Sequence, residues 1–252
     1  MLCEKCGYEV SDLPADSVCP ECAAPIADSL PSRRPGTRWQ RAWRSRTARL
    51  PIAWLVTTAF GLLTPGRQLR RASIVREGAG ALLTINITLG ALLLTLQSAT
   101  TIASAIISVW PVSFLPTPAV LLGPTWRPAS FVLAFLMWLG LISALTRIER
   151  IGIHFYSRRR SWRINSVLSL VGTAHASGAW IAAALLARLL PIGMERLADA
   201  LPGAISIHLA GTRLIAAPLG FIAGMIWFEM ATYFGLRACR YGNPPGVRKP
   251  DA

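Results

Sequence analysis

Four of the five cysteines in this 252-residue sequence lie within its first 22 residues, as two Cys-x-x-Cys pairs. Cys3 and Cys6 form the first pair, Cys19 and Cys22 form the second, and twelve residues lie between the pairs. Each pair can present two thiolates on one tight turn, and two such turns complete a tetrahedral shell of four sulfurs around a metal ion. Gly7, which follows the first pair, suits such a turn because it has no Cβ. The sequence therefore predicts a metal site built from these four cysteines.

This N-terminal module, residues 1–28, resembles a zinc ribbon over about 25 residues. The resemblance implies zinc as the bound metal, while the spacing alone leaves an iron site of the rubredoxin type as the alternative. Four cysteines close the coordination shell, so we expect the metal to fold the module rather than to catalyse a reaction. A disulfide framework would need an oxidising compartment. Residues 1–10 contain neither the basic nor the apolar segment of a signal peptide, which argues against export.

The net charge of the chain, +14, is the sum of two opposite parts. Residues 1–28 hold one lysine against six acidic residues, a net charge of −5, and the rest of the chain carries +19. Binding to phosphates needs a cationic surface, so we expect no direct contact between the acidic module and nucleic acid. A structural role, or docking of a cytoplasmic protein partner, is the better prediction for this module.

The two segments after the module are basic and short of a full membrane span. Residues 29–49 contain prolines, seven arginines and two tryptophans, a composition typical of a basic linker close to anionic lipid headgroups. Nucleic-acid tethering by this segment is the weaker alternative. The apolar stretch 50–63 would be about 21 Å long as a helix, too short for a hydrocarbon core of about 30 Å. We therefore predict interfacial or re-entrant helices in residues 50–78.

The remainder is typical of an all-α polytopic membrane protein. Hydrophobic residues make up 53% of the chain, charged residues only 15%, and the mean hydropathy is +0.45, which excludes an ordinary soluble domain. Four uncharged or nearly uncharged runs predict four membrane-spanning helices in a domain covering 79–236, followed by a tail, 237–252. The predicted spans are 79–110, 130–146, 164–187 and 214–236.

Basic residues in the connections predict how these spans are oriented. Along the chain the segments 33–76, 110–128, 147–163, 188–213 and the tail hold eleven, one, six, three and four Lys or Arg. Cytoplasmic loops carry the excess of positive charge, so this alternation places both termini in the cytoplasm of a cytoplasmic (inner) membrane. A fifth span at 100–122 would put the six arginines of 147–163 outside, and we disfavour it.

A zinc ribbon followed by a basic linker and a compact set of spans resembles uncharacterised bacterial zinc-ribbon multi-span membrane proteins. The membrane part also faintly resembles Yip-family domains, which usually have five spans. These resemblances imply a helical membrane domain and assign no role to individual residues.

One face of the first predicted span consists mostly of amides, hydroxyls and glycine at steps of three and four: Asn86, Gly90, Leu93, Gln97, Thr101, Ser104 and Ser108. Hydrogen bonding between helices is the simplest explanation of such a face. In the third span His175 lies among small residues, which favours close packing. The alternative is a small transporter or channel in which this face acts with His175 and Glu229.

The fourth span carries two further features. Gly220 and Gly224 form a G-x-x-x-G motif that favours close helix packing and offers a surface for an oligomer. Glu229 is an acid inside a span, and we expect an ion pair with Arg147, Arg163 or Arg237. No catalytic constellation is visible, so the sequence favours a membrane scaffold or adaptor that is not an enzyme.

Overall fold

The computed structural model describes residues 1–109, 126–200 and 203–244, with side chains left undescribed at 98–109, 126–127, 198 and 203–215. The described chain is helical and contains no strand, only isolated β-bridges between Leu2 and Glu9 and between Val18 and Pro25. The prediction of an all-α fold is confirmed. Two 3-10 turns, Ile26–Ser29 and Pro31–Arg33, precede the helices α1 (Arg38–Ser45), α2 (Leu50–Leu63), α3 (Pro65–Arg71), α4 (Ala79–Val109), α5 (Trp126–Arg159), α6 (Ser166–Ala176), α7 (Gly178–Ala200) and α8 (Gly203–Ala238).

Four helical segments are long and apolar enough to cross a membrane, as predicted: Ala79–Gln97, Pro128–Arg159, Ser166–Leu197 and Ala216–Ala238. Two spans continue well beyond their predicted ends, and one of them is interrupted. The span Ser166–Leu197 continues past residue 187, where we expected it to end. Helix α5 continues to Arg159 because arginine is a good helix former, whereas we expected a connection from residue 147 onward. The third span is interrupted at Ser177, whose Oγ donates a hydrogen bond to the carbonyl of Ala174 at 2.7 Å.

The chain forms two compact units. Unit 1 comprises Met1–Ile85, Thr146–Ala179 and Trp227–Ala252, and unit 2 comprises Asn86–Leu145 and Trp180–Ile226. Basic residues are distributed very unequally between the sequences of the two units. All 26 belong to unit 1 except Arg127, Arg188, Arg196 and Arg213.

Helix α1 is fixed in the core of unit 1 by hydrogen bonds from its first turn. Thr37 and Gln40 form a reciprocal capping box at its start. Gln40 also exchanges two hydrogen bonds with the backbone of Ser73, at 2.7 and 3.0 Å. The indole N–H of Trp39 donates to the carbonyl of Gly78 at 2.7 Å, and the side chain is 2% exposed. We expected Trp39 near lipid headgroups. It lies in the core because its one polar group has an internal partner.

Helix α2 presents small and polar residues to the protein and apolar residues outward. Ala53, Thr57, Thr58 and Gly61 are buried, and Gly61 lies against the backbone carbonyl of His175, where a Cβ would clash. The exposed side chains are Ile52, Leu55, Phe60 and Leu63. An outward apolar face on a 14-residue helix fits contact with lipid. The choice between an interfacial and a re-entrant helix stays a prediction.

Unit 2 is held together by close helix packing. A Cβ at Gly90 of α4 would lie 3.1 Å from the backbone of Trp180 on α7. Gly220 of α8 lies against the backbone of Leu186 on α7, and Gly224 lies against Ala183. The close packing predicted from the G-x-x-x-G motif therefore occurs within this chain. An oligomer through these glycines stays a prediction.

Candidate metal centre

The four N-terminal cysteines converge on one point. The Sγ atoms of Cys3, Cys6, Cys19 and Cys22 all lie within 4.8 Å of one another. Two Sγ–Sγ contacts, Cys3 with Cys22 and Cys6 with Cys19, are 3.6 Å long and join one pair to the other. A tetrahedral site with metal–sulfur bonds of about 2.3 Å has sulfur–sulfur edges of about 3.8 Å. The donor set therefore fits a single tetrahedral metal ion.

Two turns of the same backbone conformation, offset by 16 residues, bring the sulfurs together. We call them the first knuckle (residues 1–10) and the second knuckle (residues 17–26). In both, the amide of the first cysteine donates to a carbonyl five residues later, from Cys3 to Tyr8 and from Cys19 to Ala24, at 2.8 Å. Further equivalent bonds repeat at the same offset: Gly7 to Cys3 and Ala23 to Cys19, each 2.8 Å, and Val10 to Met1 and Ile26 to Ser17, at 2.9 and 3.0 Å.

Two thiols of the cluster, Cys6 and Cys19, differ widely in pKa. Burial raises the pKa of Cys6 to about 12. Burial also raises the pKa of Cys19, but hydrogen bonds from the backbone amides of Cys22 and Glu21 lower it by more. The resulting pKa of Cys19 is about 7. One thiolate therefore forms readily in the cluster, and additional negative charge is disfavoured. A bound cation would remove this mutual repulsion, so metal binding is coupled to release of thiol protons.

The first knuckle is bound to the C-terminal end of the described chain through Asn243. The side-chain oxygen of Asn243 accepts a hydrogen bond from the amide of Leu2 at 2.9 Å. Its Nδ2 donates to the carbonyl of Leu2 at 2.8 Å and to that of Ser29 at 2.9 Å. Asn243 is 4% exposed, so these bonds are shielded from water. One side chain thus joins the metal module to the segment that follows α8.

An ion pair between the buried Arg34 and the partly exposed Glu4 fixes the same knuckle to α3. Arg34 donates to both carboxylate oxygens of Glu4, with Nε–Oε1 and Nη2–Oε2 distances of 2.9 and 2.7 Å. Its third nitrogen, Nη1, donates to the carbonyls of Leu69 and Ala72 at 3.1 and 3.3 Å. The Arg34 side chain is 4% exposed. The fork geometry of arginine allows one buried side chain to bind the metal module and the C-terminal end of α3 together.

Close contacts complete this interface. The ring of Tyr241 lies over Gly7, where a Cβ would be 2.8 Å from ring carbon Cε1. Cys239, the fifth cysteine, is buried and donates to the carbonyl of Gly235 at 3.3 Å. Burial raises its pKa to about 12; Arg34 lowers the pKa in part, and the charge of Glu4 raises it. Cys239 is therefore an unreactive buried thiol rather than a fifth metal ligand.

His175 is a satisfied core histidine in unit 1. Its Nδ1 is 2.8 Å from the carbonyl of Val171, and its Nε2 is 3.3 Å from the hydroxyl of Thr37. A carbonyl only accepts, so Nδ1 carries the proton and Nε2 accepts from the Thr37 hydroxyl. That hydroxyl oxygen in turn accepts from the amide of Gln40. The ring therefore connects α6 to the start of α1.

The remaining candidates of the transport hypothesis fall in both units. In unit 1 the side chain of Glu229 is exposed. Among the described residues it forms no ion pair within 4.0 Å with any of the three expected arginines, so that expectation is wrong. In unit 2 Asn86 is fully buried, and Gln97 donates to the carbonyl of Ala187 at 2.7 Å. The side chains of Thr101, Ser104 and Ser108 lie outside the described residues.

The four cysteines expected to converge do so, whereas the residues that hold the module in place were not predicted from the sequence. Arg34 is one of seven arginines in a segment that we interpreted as a basic linker, and nothing in its neighbours marks it as buried. Asn243 lies 241 residues from its partner Leu2. One difference between the two knuckles points to the attachment: the first has an acid, Glu4, at the position where the second has Pro20.

Taken together, the described residues define a helical membrane protein with a four-cysteine metal site attached to its N-terminal unit. No known family model, curated protein or solved structure matches the chain. The functional interpretation therefore rests on the geometry of this chain.

Proposed function

We propose that this protein is a non-catalytic scaffold or adaptor of the cytoplasmic membrane, with a zinc ribbon held rigidly at its cytoplasmic side. The observation that carries the proposal is the asymmetric attachment of the metal module. The first knuckle is bound by Arg34 and Asn243, and the second knuckle is left exposed. A module that only folded itself would not need a bidentate ion pair to fix its orientation.

Zinc is the metal that best fits the proposal. Four thiolates close the shell, as in structural zinc sites, and no open position remains for a substrate. Iron binds the same ligand set in rubredoxin-type sites, and metal analysis distinguishes the two. The charge distribution supports a cytoplasmic location, because the sequence of unit 1 holds most of the arginines and the positive-inside rule favours the cytoplasm for such segments. Both termini belong to this unit.

The second knuckle offers the surface through which a cytoplasmic partner would bind. Val18 is 56% exposed, and Pro20 and Ala23 are exposed beside it. The module also carries five exposed acidic side chains: Glu9, Asp12, Asp16, Glu21 and Asp28. This chemistry favours a basic or mixed protein surface as partner and disfavours nucleic acid.

Transport remains an alternative that the described contacts do not favour. Both nitrogens of His175 have internal partners, Asn86 is fully buried, and Gln97 is bonded to a backbone carbonyl. These contacts are typical of helix packing.

Affinity purification from native membranes tests the adaptor proposal with matched variants. The Cys3→Ser chain lacks the metal site. A Val18→Ser, Glu21→Lys chain keeps all four ligands and changes only the exposed second knuckle. We expect a defined protein to co-purify with the parent chain and with neither variant. The Val18→Ser, Glu21→Lys chain should nevertheless retain its metal. If every co-purifying protein is indifferent to both variants, the adaptor proposal is wrong.

A further inference from the structure

A cavity of about 370 Å³ lies in unit 1 and is lined by none of the cysteines. Its walls come from α5, the segment that follows α5, and α8. Most of the lining is apolar, and this volume is large enough for a small ligand. The side chains that could recognise a ligand are Glu149, Tyr156, Trp162, Thr232 and Tyr233.

Three aromatic rings form one side of this cavity. Tyr156 meets Trp162 and Tyr233 edge-on, with ring centroids 5.6 and 6.1 Å apart, and Trp162 and Tyr233 are 6.0 Å apart at an angle of 34°. The faces of such rings attract cations. Tyr156 already has the guanidinium of Arg160 at 5.4 Å, while no cation of the described chain lies over Trp162 or Tyr233.

A carboxylate faces the same space. Glu149 is half-buried in the wall and has no cationic partner within 4.0 Å among the described residues. Glu229, nearby on α8, interacts with it electrostatically and adds charge of the same sign. Burying an unpaired carboxylate is unfavourable, so a positively charged group in the cavity would be stabilised by Glu149.

An unpartnered hydroxyl specifies the kind of cation. Thr232 lines the cavity, its side chain is 0% exposed, and its Oγ1 has no hydrogen-bond partner. A buried polar atom left without a partner costs about 1–3 kcal/mol. A group that carries N–H donors as well as positive charge would satisfy Thr232 and Glu149 together.

We propose that this cavity binds a primary ammonium group carried on an apolar body. The carboxylate of Glu149 and the Oγ1 of Thr232 accept its N–H hydrogens, the rings of Trp162 and Tyr233 stabilise its charge, and the apolar walls contact its hydrocarbon. A trimethylated ammonium has the same charge but no N–H and leaves Thr232 unsatisfied. The headgroup of an ethanolamine lipid and a free aliphatic amine both present this chemistry.

Titration calorimetry on the full metal-loaded chain in an uncharged detergent tests the proposal, with hexylamine, hexanol and trimethylhexylammonium as probes. We expect hexylamine to bind at least tenfold more tightly than hexanol. Glu149→Gln should weaken hexylamine binding at least tenfold, and Thr232→Val should weaken it three- to tenfold without affecting trimethylhexylammonium. Glu77→Gln, which changes an exposed acid outside the cavity, should leave binding unchanged.

Equal affinities for hexylamine and hexanol would show that the three rings do not bind a cation and are only aromatic residues of the membrane interface. That result would overturn the proposal. Unchanged hexylamine affinity in Glu149→Gln would also overturn it, provided that this variant keeps the parent Tm and metal content. Thr232→Val supplies an independent test if Glu149→Gln does not fold.

Nanodiscs distinguish the two sources of the amine. Hexylamine binding is compared in phosphatidylcholine discs and in discs where a third of the lipid is phosphatidylethanolamine. Weaker binding in the mixed discs identifies the lipid headgroup as occupant, and equal binding in both identifies a free amine.

Discussion

The two cysteine knuckles share one backbone conformation and differ in what surrounds them. Each provides two sulfurs and the same set of backbone hydrogen bonds, repeated at an offset of 16 residues. The first is bound to the rest of unit 1 through Leu2, Glu4 and Gly7. At the equivalent positions the second knuckle has Val18, Pro20 and Ala23, and all three are exposed.

The comparison separates binding of the metal from attachment of the module. Backbone conformation and cysteine spacing are common to both knuckles and suffice for the metal. Attachment depends on three features present only in the first knuckle: the carboxylate of Glu4 that binds Arg34, the glycine beneath Tyr241, and the backbone of Leu2 that binds Asn243. If the distinction is right, variants of the ligands affect both knuckles alike, and variants of the attachment residues affect only one.

Loss of a ligand should have the largest effect and should abolish the difference between the knuckles. We expect Cys3→Ser and Cys19→Ser to lose the metal equally, because a structural zinc contributes roughly 10 kcal/mol or more and needs all four thiolates. Metal analysis of the purified chain checks this. Cys239→Ser is the matched control and should keep one metal ion per chain. Metal retained in only one of the two ligand variants would contradict the equivalence of the knuckles.

Breaking the Glu4–Arg34 pair should detach the first knuckle while the metal stays bound. Removing one partner of a fully buried ion pair costs about 3–5 kcal/mol. Glu4 is 21% exposed, so we expect a smaller loss from Glu4→Gln, seen as a lower Tm of the detergent-solubilised chain. Glu21→Gln, an exposed acid of the second knuckle, should leave the Tm unchanged. Loss of metal from Glu4→Gln, with the ligands intact, would show that attachment and metal binding are not separable.

Cys239 provides a second measurement of detachment. Thiolates react and thiols do not, and burial raises the pKa of Cys239 to about 12, so at pH 8 it should react with maleimide at least ~100-fold more slowly than a free cysteine. Its labelling should increase tenfold per pH unit as the pH rises toward that pKa. Glu4→Gln removes a charge that helps to raise the pKa of Cys239, and detachment should in addition expose the thiol. We therefore expect labelling at pH 8, measured by mass spectrometry of the peptide, to increase and to depend less steeply on burial than in the parent chain. Equal labelling in both chains would mean that the first knuckle remains attached.

The features predicted correctly from the sequence are those encoded locally. Four cysteines at fixed spacing and four long apolar runs are readable because each depends on neighbours within a few residues or one helix. Attachment depends on pairs far apart in the chain, such as Leu2 with Asn243 and Glu4 with Arg34. An arginine buried by tertiary packing is identical in type to the six arginines around it, so composition predicted a basic linker. The prediction that Trp39 lies near lipid headgroups was wrong for the same reason, because its hydrogen-bond partner Gly78 is 39 residues away.

Substitutions at Gly7 and Ala23, which follow the two cysteine pairs, should change the stability of the chain by less than the variants above and in opposite directions. Gly7 has a φ of +84° and Ala23 a φ of +55°, both in the left-handed region. Gly7→Ala introduces backbone strain of about 1–2 kcal/mol and places a Cβ 2.8 Å from the Tyr241 ring. We expect it to lower the Tm, to increase labelling of Cys239 and to leave the metal bound.

Ala23→Gly should act in the opposite direction, because it removes the left-handed strain where no ring covers the turn. The gain is partly offset by the greater freedom of glycine in the unfolded chain, so we expect stabilisation below about 1 kcal/mol. A double-mutant cycle of Gly7→Ala with Tyr241→Ala separates strain, which remains without the ring, from the clash, which disappears. Suppose that Gly7→Ala destabilises the chain only by as much as Ala23→Gly stabilises it, and that the cycle shows no coupling to Tyr241. The ring of Tyr241 then does not fix the first knuckle. The difference between the knuckles would then rest on Arg34 and Asn243 alone.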